Sequence, residues 1–129
     1  MKPRPISQHR MTAKQRALAL QWCQDRLGLA GWQITIIWGS TVPEWVTTDD
    51  SDDYGVCDSN HAARTAKIWI NVQRHITDDM DCLITFFHEI THIAHQCSLQ
   101  DPDREATVRE EFLIDRIGAA FADAYRAGI

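Results

Sequence analysis

The sequence has no C-x-x-C pair, no apolar run near the ~20 residues of a bilayer span, and no long basic stripe. Each absence removes a class of protein. Zinc ribbons and thioredoxin-like redox sites need closely spaced cysteines, whereas Cys23, Cys57, Cys82 and Cys97 are scattered. The N-terminus carries Lys2, Arg4 and Arg10 but lacks the apolar core of a signal peptide, so a disulfide framework is not expected. The cysteines read as reduced, mostly buried small hydrophobes. With no span and no leader, a soluble cytoplasmic chain is expected, with no membrane partner. A net charge of −5 disfavours nucleic acid as a partner. Internal repeats and linkers are missing too. In 129 residues, 44% hydrophobic and 24% charged, this leaves one domain over residues 12–129 behind a flexible arm at 1–11.

Thr12 followed by Gln15 has the form of a capping box. The helix it opens carries Ala17, Leu18, Leu20, Trp22 and Leu27, and Gly28 offers a stop. Residues 32–38 (WQITIIW) read as a strand, 54–60 as a second and 66–72 (AKIWINV) as a third, with a turn at 61–64. Thr77 or Asp78 is placed to cap the next helix, with Asp78, Asp79 and Asp81 in its first turn, and that helix runs to about Gln96. Asp101-Pro102 starts a last helix that ends near Arg126, before Gly128. The acidic run Asp49–Asp53 fails as an EF-hand, because Tyr54 and His61 stand where oxygen ligands are needed, and reads as a solvated loop.

The segment His88-Glu89-Ile90-Thr91-His92 is an H-E-x-x-H sequence inside an apolar helical run. Residues four apart share a helix face, so both imidazoles reach one ion, and Glu89 stands beside them as general base for a metal-activated water. Phe86, Phe87, Ile90 and Ile93 bury this helix, where polar side chains without partners are costly. A third ligand is expected from the final helix, which offers Glu105, Glu110 and Glu111. On a helical wheel Leu113, Ile117, Phe121 and Ala124 form the apolar stripe, and Glu110 extends it toward the N-terminus. Glu110 is therefore the preferred third ligand. Glu111 is the alternative, since Asp115 four residues later suits a ligand-plus-acceptor pair. His95 lies two turns from His88, roughly 10 Å along the axis, too far to share one ion that also binds His92. The longer H-E-x-x-H-x-x-G-x-x-H pattern is absent. His9, His61 and His75 read as exposed loop histidines.

The order of elements and the stretches WQITIIW, KIWINV, LITFFHEITHIAH and REEFLIDRIGAAF resemble the gluzincin metallopeptidases, particularly the minimal single-domain forms of phages, prophages and bacterial mobile elements. SprT-like proteases are a relative by motif, but their cysteine-rich zinc module has no counterpart here. The resemblance implies an α+β, zincin-like fold. In it an N-terminal helix, the H-E-x-x-H helix and a C-terminal Glu-bearing helix pack on a small twisted three-stranded sheet. It implies Zn2+ held by His88, His92 and a glutamate, hydrolysis of peptide bonds in a specific intracellular protein, and substrate pairing along an edge strand at 66–72. Tyr54, His61, Arg64 and His95 are the candidate oxyanion donors. The competing expectation is a zinc-stabilised protein-binding module without catalysis, in which Cys97 would be a further ligand to check.

Overall fold

In the computed structural model, residues 7–96 and 104–128 are described, and the side chains of residues 49, 96 and 104–110 lie outside that set. The capping box forms as read. Thr12 Oγ1 accepts from the Gln15 N–H, and the Gln15 side chain accepts from the Thr12 N–H, opening α1 (Ala13–Leu27). Gly28 closes that helix at φ 72°, a left-handed conformation open to glycine at little strain. Trp22 projects from α1 into an aromatic cluster, with ring centroids 5.4 Å from Phe87, 5.5 Å from Phe121 and 5.2 Å from Tyr125.

Three strands follow: β1 (Gln33–Gly39), β2 (Gly55–Asn60) and β3 (Thr65–Asn71). The sheet order is β1-β3-β2, with β1 parallel and β2 antiparallel to β3. The strand expected at the edge over 66–72 is thus the central one, paired on both sides. Its physical signature is Ile68-Trp69-Ile70, all fully buried, the unbroken apolar run of a strand covered on both faces. Trp69 is core, its indole N–H donating to the Gly39 carbonyl at 3.1 Å. The described edges are β1 and β2.

A short helix absent from the sequence reading, α2 (Val72–Asp78), comes next. Asn71 ends β3 and caps α2, accepting from the Arg74 N–H at 3.2 Å. Thr77 and Asp78, expected to cap the following helix, instead close this one, and Asp79 terminates it at φ 54°. The cap of α3 (Cys82–Gln96) is Asp81, which accepts from the Leu83 N–H at 3.0 Å. Asp81 also pairs with both terminal nitrogens of Arg126 near the end of α4 (Arg104–Arg126), tying the two helices together. The expected start of that last helix at Asp101-Pro102 lies outside the described residues.

The seam of α4 is displaced from the expected stripe. Ile114 and Ala122 are buried, whereas Leu113 is 52% exposed. Gly118 sets this rotation. A Cβ added there would stand 3.0 Å from the Ile84 carbonyl oxygen and 3.2 Å from the His88 nitrogen, so α3 and α4 touch backbone to backbone. A wheel weighted by hydrophobicity gives a glycine no pull, and so turns the helix wrongly.

Of the arm expected over 1–11, residues 1–6 lie outside the described set and residues 7–11 are docked. Met11 is buried, Gln8 accepts from the Cys82 N–H at 2.7 Å, and His9 meets Asp79 at 2.8 Å. Among the described residues no helix is long and apolar enough to cross a membrane.

Candidate metal centre

One face of α3 is the core of the molecule: Leu83, Phe86, Phe87, Ile90 and Ile93 are fully buried. On the flank facing α4 and β2 the same helix carries His88, Glu89 and His92. The two imidazoles converge, with Nε2 of His88 and Nε2 of His92 only 3.0 Å apart. Glu111 closes the group from α4, one oxygen 3.0 Å from His92 Nε2 and the other 3.4 Å from His88 Nε2. One ligand atom from each of the three lies within 4.8 Å of the others. Asp115, a turn further along α4, accepts from His88 Nδ1 at 2.7 Å. With the proton of His88 held on Nδ1, its Nε2 lone pair points at the convergence. Burial holds His92 below the usual imidazole range and so favours its neutral, ligating form. Two imidazole nitrogens and a carboxylate at one point are the donor set of a three-ligand zinc site, and they fit such an ion.

The third member here is Glu111. The side chains of Glu110, the preferred third ligand from the sequence, and of Glu105 lie outside the described residues. The Glu111–Asp115 spacing works as a pair because the seam through Gly118 turns both residues toward His88.

Glu89 is 7% exposed, and its pKa is pushed from the usual 4.5 up to about 8. Burial is the main cause; the negative charges of Glu111, Asp53 and Asp115 add to it. Its nearest ionic contact is His88 Nε2, at 3.9 Å. Gly55 makes room for it, since a Cβ at that position would stand 3.0 Å from both Glu89 Cγ and Thr85 Cγ2. The start of β2 therefore passes directly beside the glutamate.

These residues line a cavity of about 650 Å³. Its opposite wall holds Gly55, Val56 and Cys57 of β2 together with Asp50, Asp53 and Tyr54 of the preceding loop. Of the acidic run read as a solvated loop, Asp50 and Asp53 thus line the site, while Asp52 and Asp53 are exposed to solvent. No local pattern announces this: the loop reaches the histidines because β2 pairs back onto β3, and Asn71 at the end of β3 holds the Asp53 carbonyl at 3.2 Å. Of the four candidate oxyanion donors, Tyr54 lines the cavity, and its hydroxyl donates to Asp78 at 2.7 Å. His61 sits against Trp32, with ring centroids 5.0 Å apart, and neither Arg64 nor His95 is among the described residues lining the cavity. Cys57 lines it, but burial pushes its thiol up to about 12, which disfavours the thiolate a metal would need. Cys97 lies outside the described residues.

The histidine expected to stand exposed at position 75 is buried in α2. Its Nδ1 meets the Asn71 carbonyl at 2.7 Å and its Nε2 meets the Thr85 hydroxyl at 2.7 Å. The capping role of Asn71 makes a helix where a loop was read, and that helix turns the ring inward. Comparison of the chain with family models, with curated proteins and with solved structures returns no match, so the reading of this centre rests on its own geometry.

Proposed function

We propose that this protein is a zinc-dependent metallopeptidase of zincin type, with His88, His92 and Glu111 as metal ligands and Glu89 as general base. The observation that carries the reading is the convergence of two imidazole Nε2 atoms and a carboxylate, with Asp115 fixing the tautomer of His88. A structural zinc site is normally closed by four protein ligands, whereas three ligands beside an open cavity leave room for a reacting group. A divalent ion bound there supplies Lewis acidity that activates water and polarises a carbonyl. The chain's own residues do the rest. His88 and His92 offer neutral nitrogens from one helix face, and Glu111 supplies the negative charge opposite them. Glu89, in the same cavity, accepts a proton from the attacking water and returns it to the departing amine. It lines the same cavity as the three ligands, with His88 Nε2 3.9 Å away, and a cation bound there favours the ionised carboxylate that takes the proton.

The peptide is positioned by β2. Among the described residues this strand pairs only with β3, so its outer edge offers backbone groups to an extended chain. Gly55-Val56-Cys57 lines the cavity, so a peptide added there passes beside Glu89. This replaces the 66–72 strand as the expected track.

The test is Glu89→Gln. Zinc per chain by elemental analysis should stay near one, while hydrolysis of a peptide library falls by at least ~100-fold. Retained zinc with the same hydrolysis in both proteins, or none in either, would leave the metal bracing two helices of a binding module. A protein that takes up no zinc removes the metal reading altogether.

A further inference from the structure

Two walls meet at Glu89, and one residue, Asn71, sets both. On the sheet side, the Asn71 N–H donates to the Tyr54 carbonyl at 2.9 Å and so fixes the chain where it enters β2 at Gly55. On the helix side, the Asn71 carbonyl accepts from His75 Nδ1 at 2.7 Å. A carbonyl only accepts, so the ring proton sits on Nδ1, and burial keeps the ring neutral by holding its pKa below the usual range. His75 Nε2 is then an acceptor, and the Thr85 hydroxyl donates to it at 2.7 Å. Thr85 stands one turn before Glu89 on α3, lines the cavity and is 7% exposed. A threonine within a helix divides between two side-chain rotamers. The bond to His75 selects one, and in it the Thr85 methyl faces Gly55. The point where a Cβ of Gly55 would stand lies 3.0 Å from Thr85 Cγ2 and 3.0 Å from Glu89 Cγ. The methyl and the glutamate stem therefore lie side by side against the start of β2.

We propose that Thr85 and His75 are positioning residues for Glu89: His75 locks the Thr85 side chain, and the Thr85 methyl, packed on Gly55, holds the glutamate stem so that its carboxylate faces His88. This rests on the peptidase reading and adds to it the residues that aim its general base. Neither side chain needs to touch the substrate. A glutamate has several rotatable bonds, and a general base must stay within hydrogen-bond reach of the proton it takes. A wall of fixed shape along the stem removes that freedom. The methyl restrains Glu89, and the hydroxyl holds the methyl in place.

The deciding variant is Thr85→Ser, which keeps the hydroxyl for His75 and removes only the methyl. NMR of the metal-free full chain reads the result through the vicinal couplings of Glu89 and the nuclear Overhauser contact between its Cγ protons and the Gly55 Cα protons. The wild type is expected to show one Glu89 rotamer with that contact, and Thr85→Ser to average between rotamers with the contact weakened. A single rotamer and an undiminished contact in Thr85→Ser overturn the proposal. His75→Ala leaves the methyl but frees its rotamer, so it should average Glu89 in the same way; a Glu89 fixed there overturns the part given to His75. Kinetics of the zinc-loaded proteins, on a peptide that the wild type cleaves, test the consequence. In Thr85→Ser, kcat should fall about tenfold while KM changes by less than about twofold and zinc stays near one per chain. An unchanged kcat, or a loss confined to KM, overturns the positioning role. Averaging of Glu89 in Thr85→Ser, in a protein without Glu89-dependent hydrolysis, overturns the peptidase reading and leaves only the packing of Glu89 standing.

Discussion

Two histidine settings lie along α3, one fully buried and one partly so, and they differ in how their nitrogens are satisfied. His75 reaches the helix from α2 with both ring nitrogens engaged, one by the Asn71 carbonyl and one by the Thr85 hydroxyl. Its tautomer is fixed and it asks for nothing further. One turn after Thr85 the arrangement inverts. His88 has one nitrogen held by Asp115, and its other nitrogen faces His92 and Glu111. Three groups that accept in their ligating forms crowd one point, and only a proton or a cation bridges them without repulsion. His75 is fully buried and His88 and His92 only partly so, but it is the convergence of acceptors that separates a candidate site from a core residue.

The sharpest way to break this comparison is to remove one histidine from each setting. His92→Ala should reduce zinc from about one per chain to a small fraction of that, and abolish the thermal stabilisation that zinc gives. His75→Ala should keep its zinc yet lose about 2–4 kcal/mol of stability, because it leaves a cavity and strands the Thr85 hydroxyl and the Asn71 carbonyl. Elemental analysis and thermal unfolding of the two proteins, side by side, decide it; zinc loss in both would merge the settings into one. A smaller effect sharpens the same contrast. Asp115→Asn removes the acceptor that orients His88 but leaves the three ligands, so zinc affinity should weaken about 10–100-fold in a competition assay with a chelator. Undiminished affinity would mean that Asp115 only decorates the helix.

The H-E-x-x-H helix was legible because its information is local: spacing on one helix, inside an apolar run, needs no knowledge of the rest of the fold. The capping box at Thr12 and the stop at Gly28 were legible for the same reason. What failed to show depended on contacts distant in sequence. Gly118 rotates α4 and brings Glu111 and Asp115 to His88, and its contribution is the absence of a side chain. Asn71 serves as strand end and helix cap at once, which hid α2 and moved His75 from an expected loop into the core. The buried run in β3 contained the information that this strand is central, since a strand covered on both faces does not alternate. Resemblance placed it at the edge instead. Asp50 and Asp53 carry no local mark of the cavity, because only pairing of β2 with β3 brings them there.

The effect that separates the two settings without any loss of metal ligands is the pH dependence of stability in protein stripped of metal. Glu89 has a folded-state pKa of about 8 against the usual 4.5. Between those values the folded chain holds a proton that the unfolded chain has released, so Glu89 makes stability fall as pH rises from 4.5 toward 8. His75 has the opposite sign. Burial lowers its pKa below the usual 6.5, so the unfolded chain takes up the proton first and stability is lost as pH falls below 6.5. Denaturant titrations across this range should show Glu89→Gln removing the decline toward pH 8, while His75→Gln removes the decline on the acid side. Adding zinc to the wild type should flatten the alkaline decline as well, because a nearby cation favours ionised Glu89. An alkaline decline that survives both Glu89→Gln and zinc would place its origin elsewhere in the molecule and dissociate the buried carboxylate from the histidine pair.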